Sequence, residues 1–194
     1  TEIYSKEEID KIGHTGTEQY GALSYKPGFA INPLKFVNGI TKYALSKKLK
    51  IFDHSLVKKI EKNNNSYILR TSEGSVNTKK IVVATNGFYQ EGLVPQMNSR
   101  ILPVISNIIV TRKLSKNEID LHNFKTYSPI MNTKNLLYYY RKLPDNRILF
   151  GTRGDFIGSD QSNFNRSKTM EKFFKNIFPD WSKISIDYSW RGFI

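Results

Sequence analysis

Lys79-Lys80-Ile81-Val82-Val83-Ala84-Thr85-Asn86-Gly87 is the stretch on which the reading of the fold turns. Ile81, Val82 and Val83 form an unbroken apolar run, which suits a strand buried on both faces, as in a sheet covered by helices. The run passes into Ala84, Thr85, Asn86 and Gly87. Small residues there let a ligand approach backbone at the carboxyl end of a strand, where open α/β sheets bind ligands. Taken alone, the nine residues read as a core strand and an ordinary turn. The residues around them shift the weight.

Upstream of this strand lies a small antiparallel meander. Leu56–Ile60 and Tyr67–Thr71 flank the turn Lys62-Asn63-Asn64-Asn65, and Glu73-Gly74 turns the chain into Ser75–Thr78. A short strand is expected at Leu49–Phe52. Before it, Asn32-Pro33 is a strong helix start, with Asn as N-cap and Pro at the first helical position. Leu34, Val37, Ile40, Ala44 and Leu45 recur at helical spacing, so residues 33–48 form an amphipathic helix. Earlier still, Ser5-Lys6-Glu7-Glu8 has the form of a capping box. Downstream, Leu102–Arg112 reads as a long strand and residues 115–126 as helix and turn. Leu136–Leu143 and Arg147–Thr152 form a hairpin around Pro144-Asp145-Asn146. Residues 154–165 read as a polar loop and 166–178 as a helix stopped by Pro179, and Ile184–Trp190 alternates as a last strand.

The 194 residues carry no cysteine, which excludes disulfides, thiolate metal sites and cysteine nucleophiles. The polar start and the absence of a long apolar run fit neither a leader peptide nor a membrane span, and the expected location is cytoplasmic. Net charge is +13. That charge raises the alternative of a basic module binding nucleic acid or an anionic surface. The bases are scattered, however: lysine outnumbers arginine 22 to 8, and asparagine reaches 17. This is the composition of an AT-rich coding sequence, and no compact arginine patch stands beside stacking aromatics. His14, His54 and His122 show no metal or triad spacing and read as surface residues.

The order of these segments resembles the FAD-dependent oxidoreductases of the D-amino-acid oxidase (DAO) family, in particular glycine-oxidase-like and gamma-glutamylputrescine-oxidoreductase-like enzymes. The resemblance runs through nearly the whole chain. Tyr20–Leu23 through Ile31-Asn32-Pro33 is similar to the family's approach to its helix, and Leu56–Ile60 to the strand whose valine meets adenine. Ile81–Gly87 is similar to the strand that closes the first part of the flavin domain. Leu102-Pro103-Val104 with Val110-Thr111 resembles the crossover into the substrate sheet. Tyr139-Tyr140-Arg141 and Asn146–Arg153 resemble the substrate-domain hairpin, and Phe178–Trp181 with Trp190-Arg191-Gly192 the return to the flavin domain. Gly151-Thr152-Arg153 stands where the family often has Gly-Gly-Arg. The family's Gly-x-Gly-x-x-Gly phosphate turn occurs nowhere in the 194 residues.

The resemblance implies an α+β chain: an α/β flavin-domain portion plus a mixed or antiparallel substrate-domain sheet, a central fragment of a two-domain flavoenzyme. Residues 27–87 and 179–194 would belong to the FAD-binding domain, and 1–26 and 88–178 to the substrate-binding domain. The implied activity is oxidation of a small amine or amino acid by hydride transfer to FAD, carried by the full-length parent, with this segment inactive alone. The flavin carries the hard chemistry, so no catalytic side chain is assigned. Val57 would offer its backbone to adenine, and Ala84, Thr85, Asn86 and Gly87 would border the ADP group. Arg141 and Arg153 flank the hairpin turn, and a guanidinium suits a carboxylate bidentately, though a surface ion pair is the commoner fate of either arginine taken alone. Tyr138 and Tyr140 share one strand face, as pocket wall or as aromatic core, and Trp190 either nears the ring or fills core. The remaining alternative is a non-catalytic truncated scaffold.

Overall fold

The structure, a computed structural model, describes residues 1–155 and 160–193. Its contacts divide it into two compact units, Thr1–Ala30 with Val104–Ile194, and Ile31–Pro103.

The chain starts with β1 (Glu2–Ser5), α1 (Lys6–Ile12) and β2 (Gly21–Ser24), and β1 pairs antiparallel with β2. The Ser5–Glu8 capping box is formed in both directions, which is why α1 begins where the sequence places it. In the second unit, α2 (Pro33–Ser46) starts on Asn32, whose side chain accepts from the Lys35 N–H at 3.0 Å. Strands β3 (Lys59–Asn63), β4 (Ser66–Arg70) and β5 (Ser75–Thr78) make an antiparallel meander as expected, but its first strand starts at Lys59 instead of Leu56 and takes in Lys62 and Asn63 of the expected turn. Asn64 takes the left-handed conformation, φ 49°, that its tight turn demands.

Two expected strands of this unit do not form. Leu49–Phe52 is irregular and exposed. Residues 81–85 pair with nothing among the described residues, and Val82 is 88% exposed. A strand buried on both faces exists only when neighbours supply its ladder and helices cover it, and the meander ends before it at Thr78.

The first unit resumes with β6 (Ile105–Thr111), α3 (Lys116–Leu121), β7 (Ile130–Met131), β8 (Tyr138–Lys142), β9 (Ile148–Asp155), α4 (Asp160–Ile177) and β10 (Ile186–Phe193). The five strands form one antiparallel sheet in the order β10-β6-β9-β8-β7. The expected hairpin is β8–β9, with Asn146 left-handed at φ 64° in its turn. The helix expected from residue 166 already starts at Asp160; of the polar loop expected over 154–165, positions 156–159 lie outside the described residues. Residues 186–193 pair along their length with β6 and so stand in the five-stranded sheet, and 88–103 belongs to the same compact unit as 31–87.

The core of the first unit lies between one sheet face and the segments α3, α4 and the 3-10 turn Pro179–Trp181. Ile109, Ile148, Phe150, Met170, Phe174, Phe178 and Trp181 are all but inaccessible. His14 and His122, read from the sequence as surface residues, are buried at 2% and 3% exposure. No long local pattern marks them, so only packing decides their fate.

Glu118 ties α3 to the sheet. It closes a second capping box with Ser115 and receives the Arg112 guanidinium at 2.6 and 3.0 Å. That guanidinium, helped by the Ser115 N–H, holds the Glu118 carboxyl down at about 2. Its folded value is depressed, so its contribution is complete above the ordinary 4.5 and is lost as pH falls toward 2. Glu118→Gln is expected to flatten the acid limb of stability between those two values. Urea midpoints measured across that range check it, and an unchanged acid slope contradicts it.

Candidate functional site

The five-stranded sheet has a second face, and among the described residues of this unit no helix packs on it. Register decides which side chains emerge there, because directly opposed residues share a face. Met131, Tyr139, Gly151, Ile108 and Trp190 are successive partners across all five strands. They form one row on the open face. Two residues to one side runs the row Arg141, Leu149, Val110, Tyr188, and two residues to the other side stand Arg153, Ser106 and Gly192. Arg141 and Arg153 therefore share this face and bracket the central row, each roughly 7 Å along the strand from it.

The centre of the row is shaped by a missing side chain. A Cβ on Gly151 would stand 2.2 Å from Cε2 and Cζ of Tyr139. The Tyr139 ring thus lies flat across the backbone of β9, and its hydroxyl meets the Ser106 hydroxyl on β6 at 2.5 Å. Trp190 is 46% exposed and Tyr188 56% exposed at the β10 side. Arg147 anchors that side. Its Nη1 donates to the Thr111 carbonyl at 2.8 Å and to Asp187 at 2.6 Å, and its guanidinium lies over the Tyr188 ring. Asp187 stands at the register shift in β10 between Ile186 and Tyr188.

Arg141, Arg153 and Trp190 are thus brought to one face. Tyr138 and Tyr140 are not: they point the other way, 7% and 6% exposed, and pack on Phe150 with ring centroids 5.3 and 6.0 Å apart. Of the two readings open for them, the structure realises aromatic core. Burial pushes the Tyr140 hydroxyl well above the ordinary tyrosine range. The residue the sequence reading passed over is Tyr139. Strand alternation already set it opposite Tyr138 and Tyr140, but nothing local showed which side was open.

The residues expected to meet the cofactor lie in the other unit. Val57 is half-buried and precedes Lys58, whose N–H donates to the Arg70 carbonyl at 2.8 Å as the meander begins. Thr85 precedes the 3-10 turn Asn86–Phe88, and Asn86 is left-handed at φ 49°. Ala84, Thr85 and Asn86 are exposed and Gly87 is half-buried. A left-handed turn of small residues leaves its backbone approachable, and so fits the border of an ADP group. The glycine-rich turn that would cradle the pyrophosphate is not in this sequence.

Known proteins share this fold. The family model "FAD dependent oxidoreductase" (DAO) matches residues 1–194. A probable oxidoreductase OrdL from Haemophilus influenzae is 29% identical over 185 residues, 92% of this chain and 41% of its own length. Gamma-glutamylputrescine oxidoreductase from Escherichia coli is 28% identical over 172 residues, covering 89% of this chain and 39% of its own. The chain therefore spans about two fifths of these relatives. Among solved structures, glycine oxidase from Geobacillus kaustophilus superposes with a TM-score of 0.73 at 17% identity, over 99% of this chain and 50% of its own. L-proline dehydrogenase from P. horikoshii gives 0.74 at 16% identity, over 99% of this chain and 52% of its own. The mixed helix and antiparallel-sheet fold is that of these flavoenzymes, and with its whole length matched the chain belongs to the DAO family of FAD-dependent oxidoreductases.

Proposed function

We propose that the open sheet face is the substrate side of an enzyme that oxidises a small amine or amino acid, with the substrate carboxylate held by Arg141 or Arg153. One observation carries the reading. In a chain of this family, both arginines emerge on the uncovered face, on either side of the Tyr139–Gly151 pair. The names of the relatives, gamma-glutamylputrescine oxidoreductase and glycine oxidase, support an amine or amino acid as the substrate class. Tyr139 replaces Tyr138 and Tyr140 as the aromatic wall, with Trp190 beside it. In the same reading residues 31–103 lie on the flavin side, through Val57 and Ala84–Gly87, and the five-stranded sheet with β10 is the substrate side; the location is cytoplasmic.

FAD, bordered by Val57 and Ala84–Gly87, would supply the hydride-accepting chemistry, and the protein's part would be to bind and orient the substrate. The guanidinium supplies a planar pair of donors that fixes the carboxylate and so aims the α-carbon. Tyr139, pinned by Ser106, offers a rigid flat surface that excludes water from one side of the substrate. An amine that binds uncharged needs no strong base.

Arg141→Lys and Arg153→Lys keep the charge and lose the fork. In the full-length enzyme, at least one is expected to raise the Michaelis constant by the equivalent of about 1–3 kcal/mol, with flavin content unchanged. Steady-state kinetics on both variants decide it. If neither changes the Michaelis constant, the carboxylate assignment is wrong.

A further inference from the structure

His14 and His122 sit at the buried centre of the contact between residues 13–17 and the core of their own unit. Both Nδ1 atoms reach one acceptor, the Thr15 carbonyl, at 3.2 and 3.1 Å. A carbonyl only accepts, so both Nδ1 atoms carry hydrogen, and in the neutral rings both Nε2 atoms are bare. His14 Nε2 lies 3.1 Å from the Tyr140 hydroxyl, which donates to it. His122 Nε2 is buried without a hydrogen-bond partner, with the Asp180 carboxylate 3.6 Å away. The rings are wedged among aromatics: His14 stacks on Phe124 at 4.9 Å, and His122 meets Trp181 edge-on at 4.8 Å.

The same residues carry the backbone bonds that fasten the segment. The Thr15 N–H donates to the His122 carbonyl at 2.7 Å, and the Thr17 N–H to the Ile177 carbonyl at 3.1 Å. The Lys125 N–H donates to the Gly13 carbonyl at 2.8 Å, and the Thr17 hydroxyl to the Asn176 carbonyl at 2.7 Å.

We propose that His14 and His122 form a pH-operated clasp, which holds residues 13–17, and with them the β1–α1–β2 segment, on the sheet while both imidazoles are neutral and releases it when they take up protons. Protonated His14 would aim an N–H at a hydroxyl that now donates to it. Tyr140 would have to turn, leaving its own O–H to find an acceptor in the core. Two imidazolium rings sharing one carbonyl would also repel each other in a poorly solvated site.

The other charged groups facing the pair are few. Asp10 on α1 and Asp180 on the 3-10 turn favour the protonated rings. Glu18 borders the cleft beside His14 and Tyr140, and pairs with Lys134 at 2.7 Å. Lys142 on β8 adds a cation held by the Phe124 and Lys125 carbonyls. Burial is the largest influence on both histidines and pushes them below the ordinary imidazole value. The released segment then binds more protons than the fastened one. The clasp is therefore complete above about pH 6.5 and weakens as pH falls below it.

Amide hydrogen exchange of the full-length protein between about pH 7.5 and pH 5 tests this. Protection factors at Thr15, Thr17 and Lys125, corrected for intrinsic exchange, are expected to fall by up to about tenfold per pH unit for each histidine engaged. Those at Tyr140 and Phe150 should hold. His14→Gln and His122→Gln should each reduce that pH dependence. A flat profile at residues 13–17 overturns the proposal, and so does an equal fall across β8 and β9, which would mean global unfolding. If the variants do not fold, histidine ring titration by NMR on the unaltered protein decides. Both rings must titrate below about 6.5, and ordinary values for both overturn the clasp.

Discussion

Trp181→Ala is expected to cost about 3–5 kcal/mol, the range for emptying a large aromatic site in a core. Trp181 is fully buried. Its ring lies 4.8 Å from Phe178, 5.9 Å from Phe174 and 6.0 Å from Phe124, so the cavity would open at the junction of α4, the 3-10 turn and the segment after α3. Its Nε1–H also donates to the Glu118 carbonyl at 2.7 Å, and removing it leaves that oxygen without this donor. Trp181→Phe separates the two effects, because it keeps most of the apolar burial and should lose only about 1–3 kcal/mol. Urea denaturation with an unchanged m-value measures both. A loss below about 1 kcal/mol for Trp181→Ala would mean that this cluster is not what holds α4 to the sheet.

Gly151→Ala is the second large effect, and it is diagnostic of the open face. The new methyl would meet Tyr139 ring carbons at 2.2 Å and its hydroxyl oxygen at 2.5 Å, so the ring must lift away and give up Ser106. The expected cost is about 1–3 kcal/mol, as for other overpacking substitutions. Removing the ring should rescue the substitution. In a Tyr139→Ala background the obstacle is gone, and Gly151→Ala should then cost little. A double-mutant cycle reads the coupling directly. Additive costs would show that Gly151 is required for a reason other than the ring above it. In the full-length enzyme, lifting the ring should also weaken substrate binding if Tyr139 forms the wall of the site.

What the amino-acid sequence determined by itself is what a few neighbouring residues can decide. Ser5 and Glu8 close a capping box, Asn32-Pro33 starts α2, and Asp145-Asn146 turns the hairpin, each by contacts within a handful of positions. The order of those segments carried the resemblance to the family that the match over residues 1–194 shows. The tertiary structure alone decided the rest. A strand needs a partner: Ile81–Val83 is as apolar as a core strand, yet nothing in residues 31–103 pairs with it. Histidine burial is likewise invisible locally, since His14 meets His122, Tyr140 and Phe178 only when the chain folds back over more than a hundred residues. The candidate site shows the limit most sharply. Alternation separated Tyr139 from Tyr138 and Tyr140, but which side is core depends on where α3 and α4 pack. With a side-chain period of two, that single choice moves every residue of the strand to the other face.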